Sequence, residues 1–162
     1  MKILALDASS KSTGVAFFED GKLIKSINVV GVGKPFERIE QMTDQVLDLA
    51  KEFRPTDIVM EDILPADVGN NFRTFRTLHY LQASFVLNLF KAFPSIEVVL
   101  YTASHWRKIV SIKNGRGVKR EELKKQSVKL VKDIYKLDVN DDVSDAICIG
   151  MAYFLENRSA RN

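Results

Sequence analysis

The apolar run Ile3-Leu4-Ala5-Leu6 ends abruptly on a carboxylate, Asp7. A short unbroken apolar run at the head of a domain reads as a strand covered on both faces. Asp7 then stands at the carboxyl end of a central strand, with the turn Ala8-Ser9-Ser10 after it. An acid in that position is costly unless cations, or a metal shared with other acids, offset its charge. Two further acidic groups lie beside apolar segments. Glu61-Asp62 follows Ile58-Val59-Met60, and Asp141-Asp142 with Asp145 precedes Ala146-Ile147-Cys148-Ile149. The expectation is that these three places meet in space.

The remaining pattern supplies a scaffold. Residues 2–7 are the first strand, 12–18 the second and 23–30 the third, with Asp20-Gly21 as a hairpin turn. A helix follows over 35–53, with Pro35 tolerated in its first turn and Phe36, Ile39, Met42, Val46, Leu49, Ala50 and Phe53 at helical spacing. Residues 57–61 form the fourth strand, and the helical crossover into it implies a parallel partner. After a loop over 63–70, Asn70 or Asn71 caps a long helix, 71–93, that is apolar around much of its circumference. Residues 96–101 are the fifth strand. A short helix with Trp106 and Arg107, a basic helix over about 118–137 and a last helix from Asn140 or Asp141 to about Arg158 complete the chain. The order predicts an α/β fold whose five-stranded mixed sheet, an antiparallel meander plus parallel strands, is flanked by helices. It is not a Rossmann order. At 162 residues, the chain reads as a single domain over 1–158 with a short tail at 159–162.

The longest apolar stretches fall far short of the roughly 18–20 residues of a membrane span, so no membrane partner is expected. The N-terminus lacks the pattern of a secretory signal. Cys148 is alone, which excludes a disulfide framework and fits a reducing cytoplasm. The net charge of +3 is modest, but its distribution is one-sided. Arg107, Lys108, Lys113, Arg116, Lys119 and Arg120 open a basic block that runs on to Lys132, opposed only by Glu121 and Glu122. The loop Asn114-Gly115-Arg116-Gly117 punctuates it. A solvated helix face would account for part of this block; the glycine-containing loop points to phosphate contact.

Asp142 and Asp145 are three apart on a helix and share a face, whereas Asp141 points elsewhere. Capping and the helix dipole favour acids in a first turn, which would explain Asp141 and Asp142 alone. Asp145, against the apolar stripe, needs another reason. Two strand-end acids and two acids of one helical face can form a four-carboxylate pocket. Such a set cannot be fully ionised at neutral pH without counter-charge. All-oxygen ligands suit Mg²⁺, with Mn²⁺ able to substitute. Two such ions about 4 Å apart suit in-line phosphodiester hydrolysis. His79 and His105 are too scattered for a zinc site, and the sequence holds no Walker loop or nucleophile elbow.

Taken together, these segments resemble the RuvC family of Holliday junction resolvases, within the RNase H-like fold. The resemblance is carried by Ile3-Leu4-Ala5-Leu6-Asp7 with Thr13-Gly14, Ile58-Val59-Met60-Glu61, Leu81-Gln82-Ala83, the loop ending in Lys119, and Asp142-Val143-Ser144-Asp145-Ala146. It implies a homodimer, here paired through the helix 71–93, acting on four-way junctions or other branched DNA. It implies Mg²⁺-dependent paired nicking. It assigns Asp7, Glu61, Asp142 and Asp145 as catalytic metal ligands, Lys119 as a further catalytic residue, and Lys119 with Arg107 or Lys108 as phosphate contacts near them. The chain departs from the family in two places. Asp7-Ala8-Ser9 stands where the family has Asp-Pro-Gly, and Leu64 stands where it carries an aromatic residue that stacks on junction bases. Phage-encoded members diverge similarly, which implies a phage-type protein acting in the bacterial cytoplasm. Two other readings start from the same residues. One is a non-catalytic branched-DNA binder. The other is a single lobe similar to actin-like sugar kinases, suggested by Asp7 with Thr13-Gly14.

Overall fold

A computed structural model describes residues 1–65 and 71–160, the side chains of 159 and 160 excepted. The segment 66–70, with Asn70 as alternative cap and most of the expected loop, and the end of the tail lie outside the described residues. Five strands form one sheet in the order β3-β2-β1-β4-β5, and five helices are described around it. β1 (Lys2–Ala8), β2 (Ser12–Glu19) and β3 (Lys22–Val30) make the antiparallel meander. Its second turn uses Asp20 and Gly21, both at positive φ, as a tight Asp-Gly hairpin does. α1 (Pro35–Phe53) crosses over to β4 (Asp57–Glu61), which pairs parallel to β1. α2 (Phe72–Ala92) leads to β5 (Val98–Tyr101), parallel to β4. α3 (Ala103–Ile109), α4 (Arg120–Tyr135) and α5 (Asp141–Ala160) close the chain. The expected mixed sheet and its flanking helices are therefore present.

Period-two alternation splits the central strand between two cores. Leu4 and Leu6 face α1 and α2, packing with Met42, Val46, Leu81 and Phe85. Ile3 and Ala5 face the other way, among Trp106, Val131, Ala146 and Ile149. Alternation carries Asp7 to the second side, and Glu61 follows Val59 to the same side of β4. α5 lies across that face. Ala146, Ile147, Cys148 and Ile149 are all fully buried, so it is a central helix and not an amphipathic surface one. Gly150 lets it approach closely: a Cβ there would meet the Phe18 ring at 2.4 Å and the Ala5 Cβ at 3.1 Å.

Several boundaries differ from the sequence-based expectation. Ile96 and Glu97 are not in β5, because the Ile96 N–H bonds back to the Phe93 carbonyl as a turn. α4 begins after Lys119, whose backbone is extended, and ends before Lys136, which takes a left-handed C-cap. Asn71 is the cap of α2; its side chain accepts from the Thr74 N–H. No described helix is long and apolar enough to cross a membrane.

Candidate active site

At the carboxyl ends of β1 and β4 the sheet opens into a cavity of about 270 Å³. Asp7, Glu61, Asp142 and Asp145 all line it, together with Ser9, Arg107, Arg120 and Lys124. The four acids thus come from three segments far apart in sequence, joined by β1–β4 pairing and by α5 crossing β1. Gly14 makes the last approach possible. It pairs with Asp7 across β1 and β2, and a Cβ on it would lie 1.9 Å from the Asp142 carbonyl oxygen.

Each acid has its own support. Asn140 caps α5, its Oδ1 accepting from the Val143 N–H at 2.9 Å, and so fixes the helix start that carries Asp142. Asp142 Oδ2 accepts from the Ser9 hydroxyl at 3.2 Å and, more closely, from the Ser12 hydroxyl. The turn bearing Ser9 is held from α1, where Arg38 Nε donates to the Ser10 carbonyl at 2.9 Å. Glu61 Oε2 accepts from Trp106 Nε1 at 2.7 Å, and its backbone carbonyl accepts from Gln82 Nε2 at 3.0 Å. Trp106 is wholly buried, so this donor is rigidly aimed. Asp141, as expected, turns away from the cavity to pair with Lys124.

The cluster is short of positive charge. Burial, then the neighbouring carboxylates of Glu61, Asp145 and Asp142, push the Asp7 pKa well above the usual carboxylate range; Arg107 pulls it back only in part. Asp145 is 7% exposed, and burial raises it to about 6 against the opposing pull of Ser127, Arg107 and Lys124. Its Oδ1 finds no hydrogen-bond partner among the described residues. An all-oxygen donor set of mutually repelling carboxylates with one orphaned buried oxygen fits a hard divalent cation. The fit is one of chemistry and location: among the described residues no three acids are already drawn into a ligand set. The acids surround the cavity while Ser12 and Trp106 hold two of them to its walls.

Among the expected cations, Arg107 and Arg120 reach the cavity wall, and Lys124 joins them. Lys119 does not line it; it is exposed at the start of α4. Lys108, Lys113 and Arg116 are exposed outside the cavity, on α3 and on the loop between α3 and α4. Ser9, Ser12 and Trp106 are supports that sequence reasoning passed over. A Trp at the fourth position of a short helix carries no signal of an acid 45 positions away. If the cavity takes a divalent cation, Trp106→Phe is expected to keep the buried ring yet weaken binding of that cation by about 10–100-fold, the usual cost of losing a residue that orients a metal ligand. Unfolding temperature and Mn²⁺ binding measured together separate this from a loss of fold.

A family described as DUF3882, Lactococcus phage M3 protein, matches residues 1–156. The chain belongs to this family. Its sequence is also 24% identical over 166 residues to the crossover junction endodeoxyribonuclease RuvC of Thermomicrobium roseum, spanning 99% of this chain and 97% of that protein. Among solved structures, T. thermophilus RuvC in complex with Holliday junction substrate superposes with a TM-score of 0.76 at 16% identity, over 98% of this chain and 96% of that one. The Fowlpox virus resolvase in complex with Holliday junction DNA gives 0.59 at 15% identity, over 97% and 99%. The DUF3882 chain therefore has the RNase H-like fold of RuvC, and the RuvC resemblance in its sequence segments extends over the whole molecule.

Proposed function

We propose that this protein is a structure-specific endodeoxyribonuclease that resolves Holliday junctions and other branched DNA. The observation that carries the reading is the convergence of Asp7, Glu61, Asp142 and Asp145 on one cavity rimmed by Arg107 and Arg120. The RuvC and resolvase relatives, which span the whole chain, point the same way. In this reading the four carboxylates hold Mg²⁺, two ions per site, with Mn²⁺ able to replace it. Such ions, when bound, would supply an activated water and stabilise the leaving oxygen of the scissile phosphodiester. Trp106 keeps Glu61, and Ser9 with Ser12 keep Asp142, at the cavity wall, poised to hold them. Arg107 and Arg120 lie beside the phosphate and stabilise charge that develops on it. Lys108, Lys113, Arg116 and Lys119, exposed nearby, follow the strand as it leaves the site.

Paired nicking needs two such sites, and α2 offers a surface for a second copy. Tyr80, Ala83, Leu87 and Phe90 are exposed at alternating three- and four-residue intervals, with Tyr80, Leu87 and Phe90 at 47%, 64% and 55%. That is a coiled-coil-like seam, open to solvent along Ala83, Leu87 and Phe90, with the Tyr80 ring against Phe36 at 5.8 Å at its start. A homodimer through this helix is the assembly proposed.

The deciding experiment is a nicking assay on a synthetic four-way junction beside linear duplex, splayed-arm and three-way DNA, with and without Mg²⁺, with sedimentation of the protein alone. Symmetric Mg²⁺-dependent cuts in the four-way junction by a dimer are expected. Cuts shared among all branched forms would broaden the substrate class. Tight junction binding without cuts in any substrate would make the protein a binder and remove the catalytic reading.

A further inference from the structure

Three cations reach the carboxylate cavity, and they are not equivalent. Lys124 is committed to Asp141, which lies outside the lining. Arg120 is exposed at the first turn of α4. Arg107 is held inward. Its guanidinium lies 4.7 Å from the ring centre of the fully buried Trp106, the same ring whose N–H is fixed to Glu61. Its Nε is buried and has no hydrogen-bond partner among the described residues. A buried donor left unpaired costs free energy, and a guanidinium cannot lose its charge to escape that cost. The site that retains it is the one with four acids facing it: Asp7 from β1, Glu61 from β4, and Asp142 and Asp145 from α5. Its field favours the charged forms of both Asp7 and Asp145.

We propose that Arg107 is the resident counter-cation of the carboxylate cluster in the metal-free protein, and that a divalent cation entering the cavity takes over that role and does so against Arg107. The inference rests on the reading of the cluster as a divalent-metal site. It adds a term that phosphate contact alone does not contain, since it concerns the protein without DNA. Removing the guanidinium charge leaves the acids less compensated before metal binds and removes a like-charge repulsion once it does. The two effects have opposite signs. A residue that merely packs on Trp106 would destabilise both states and leave metal affinity unchanged.

The test uses the full chain without DNA, comparing wild type with Arg107→Gln and Arg107→Lys. Mn²⁺ binding is followed by calorimetry, and thermal unfolding is recorded in EDTA and in saturating Mn²⁺. In Arg107→Gln, unfolding in EDTA at neutral pH shifts to lower temperature, the deficit closes in Mn²⁺, and Mn²⁺ binds about tenfold tighter. Arg107→Lys keeps the charge and stays close to wild type in both measurements, which decides the matter even where the Gln variant does not fold. Unchanged or weaker Mn²⁺ binding by Arg107→Gln, with normal binding by wild type, overturns the proposal and spares the metal site. A large deficit in Arg107→Lys also overturns it, because packing and not charge would then be at work. No Mn²⁺ binding by wild type overturns the metal-site reading and this inference with it.

Discussion

Asp7→Asn is expected to lower Mg²⁺-dependent cleavage of a four-way junction by about 10³-fold or more while leaving junction binding intact or tighter. The loss exceeds the roughly 10–100-fold cost of a supporting contact because, in the proposed function, a charged metal ligand at the centre of the cluster is removed, not one that orients a ligand. Asp7 is the acid against which the other three are set: Glu61, Asp142 and Asp145 all act to raise its pKa. Its neighbours stay in place, because β1 pairing on both sides holds the backbone. The basic residues that would meet DNA are untouched, and one negative charge facing the phosphate is gone. Parallel gel-shift and nicking assays check the two halves of the expectation. Cleavage at the wild-type rate would remove Asp7 from the mechanism.

The same charges set a pH dependence in the metal-free protein. Asp145 titrates near 6 when folded, against about 3.9 in an unfolded chain. A carboxyl with a raised folded pKa binds more protons in the folded state, so stability falls as pH rises between those two values. The slope has fallen to half at about pH 6 and the penalty is complete about one pH unit higher, and two pKa units correspond to roughly 3 kcal/mol. Asp7 adds in the same direction. Unfolding in EDTA should therefore occur at lower temperature at pH 7 than at pH 5. Asp7→Asn should narrow that gap by relieving part of the repulsion.

These expectations depend on features of unequal visibility in the sequence. The apolar run into Asp7 and the parallel run into Glu61 were legible because alternation and strand ends are local properties. Asp142 and Asp145 were legible because a spacing of three fixes a helical face. What joins them is not local. Trp106 donates to Glu61, and Ser12 to Asp142, across 45 and 130 positions. Nothing in a serine at the head of a strand or a tryptophan of a short helix states which acid it will meet. The basic block was legible as a block, but not which of its members turn inward. That is decided by where α4 starts, and the chain enters α4 at Arg120, so that Arg120 and Lys124 line the cavity while Lys119 remains at the exposed cap. The apolar surface of the long helix, proposed as a face for a second copy, was visible only as an excess of apolar residues. Its spacing became definite only once Leu81, Phe85 and Leu89 were seen to be the buried stripe.

Gly14→Ala should damage the site almost as severely as loss of an acid, although glycine contributes no chemistry. Gly14 lies on β2 opposite Asp7, on the face that α5 crosses. The added Cβ would stand 1.9 Å from the Asp142 carbonyl oxygen, 2.3 Å from its carbonyl carbon and 2.8 Å from the Val143 nitrogen. All three are backbone atoms, so no side-chain rotation relieves the overlap. The start of α5 must retreat by roughly 1.5 Å to reach ordinary contact, taking Asp142 and Asp145 away from Asp7 and Glu61 together. A displacement of about 1 Å in a catalytic arrangement is enough to cost about 10²-fold in rate. Overpacking at such a contact costs about 1–3 kcal/mol of stability besides. Gly115→Ala serves as the comparison for stability, since nothing lies within 4 Å of a Cβ at that position and its unfolding should match wild type. Cleavage at least about 10²-fold slower in Gly14→Ala, with Mn²⁺ binding weakened in step, is the expected result. Wild-type cleavage and stability in that variant would mean that the acids do not depend on this approach of α5 to β2.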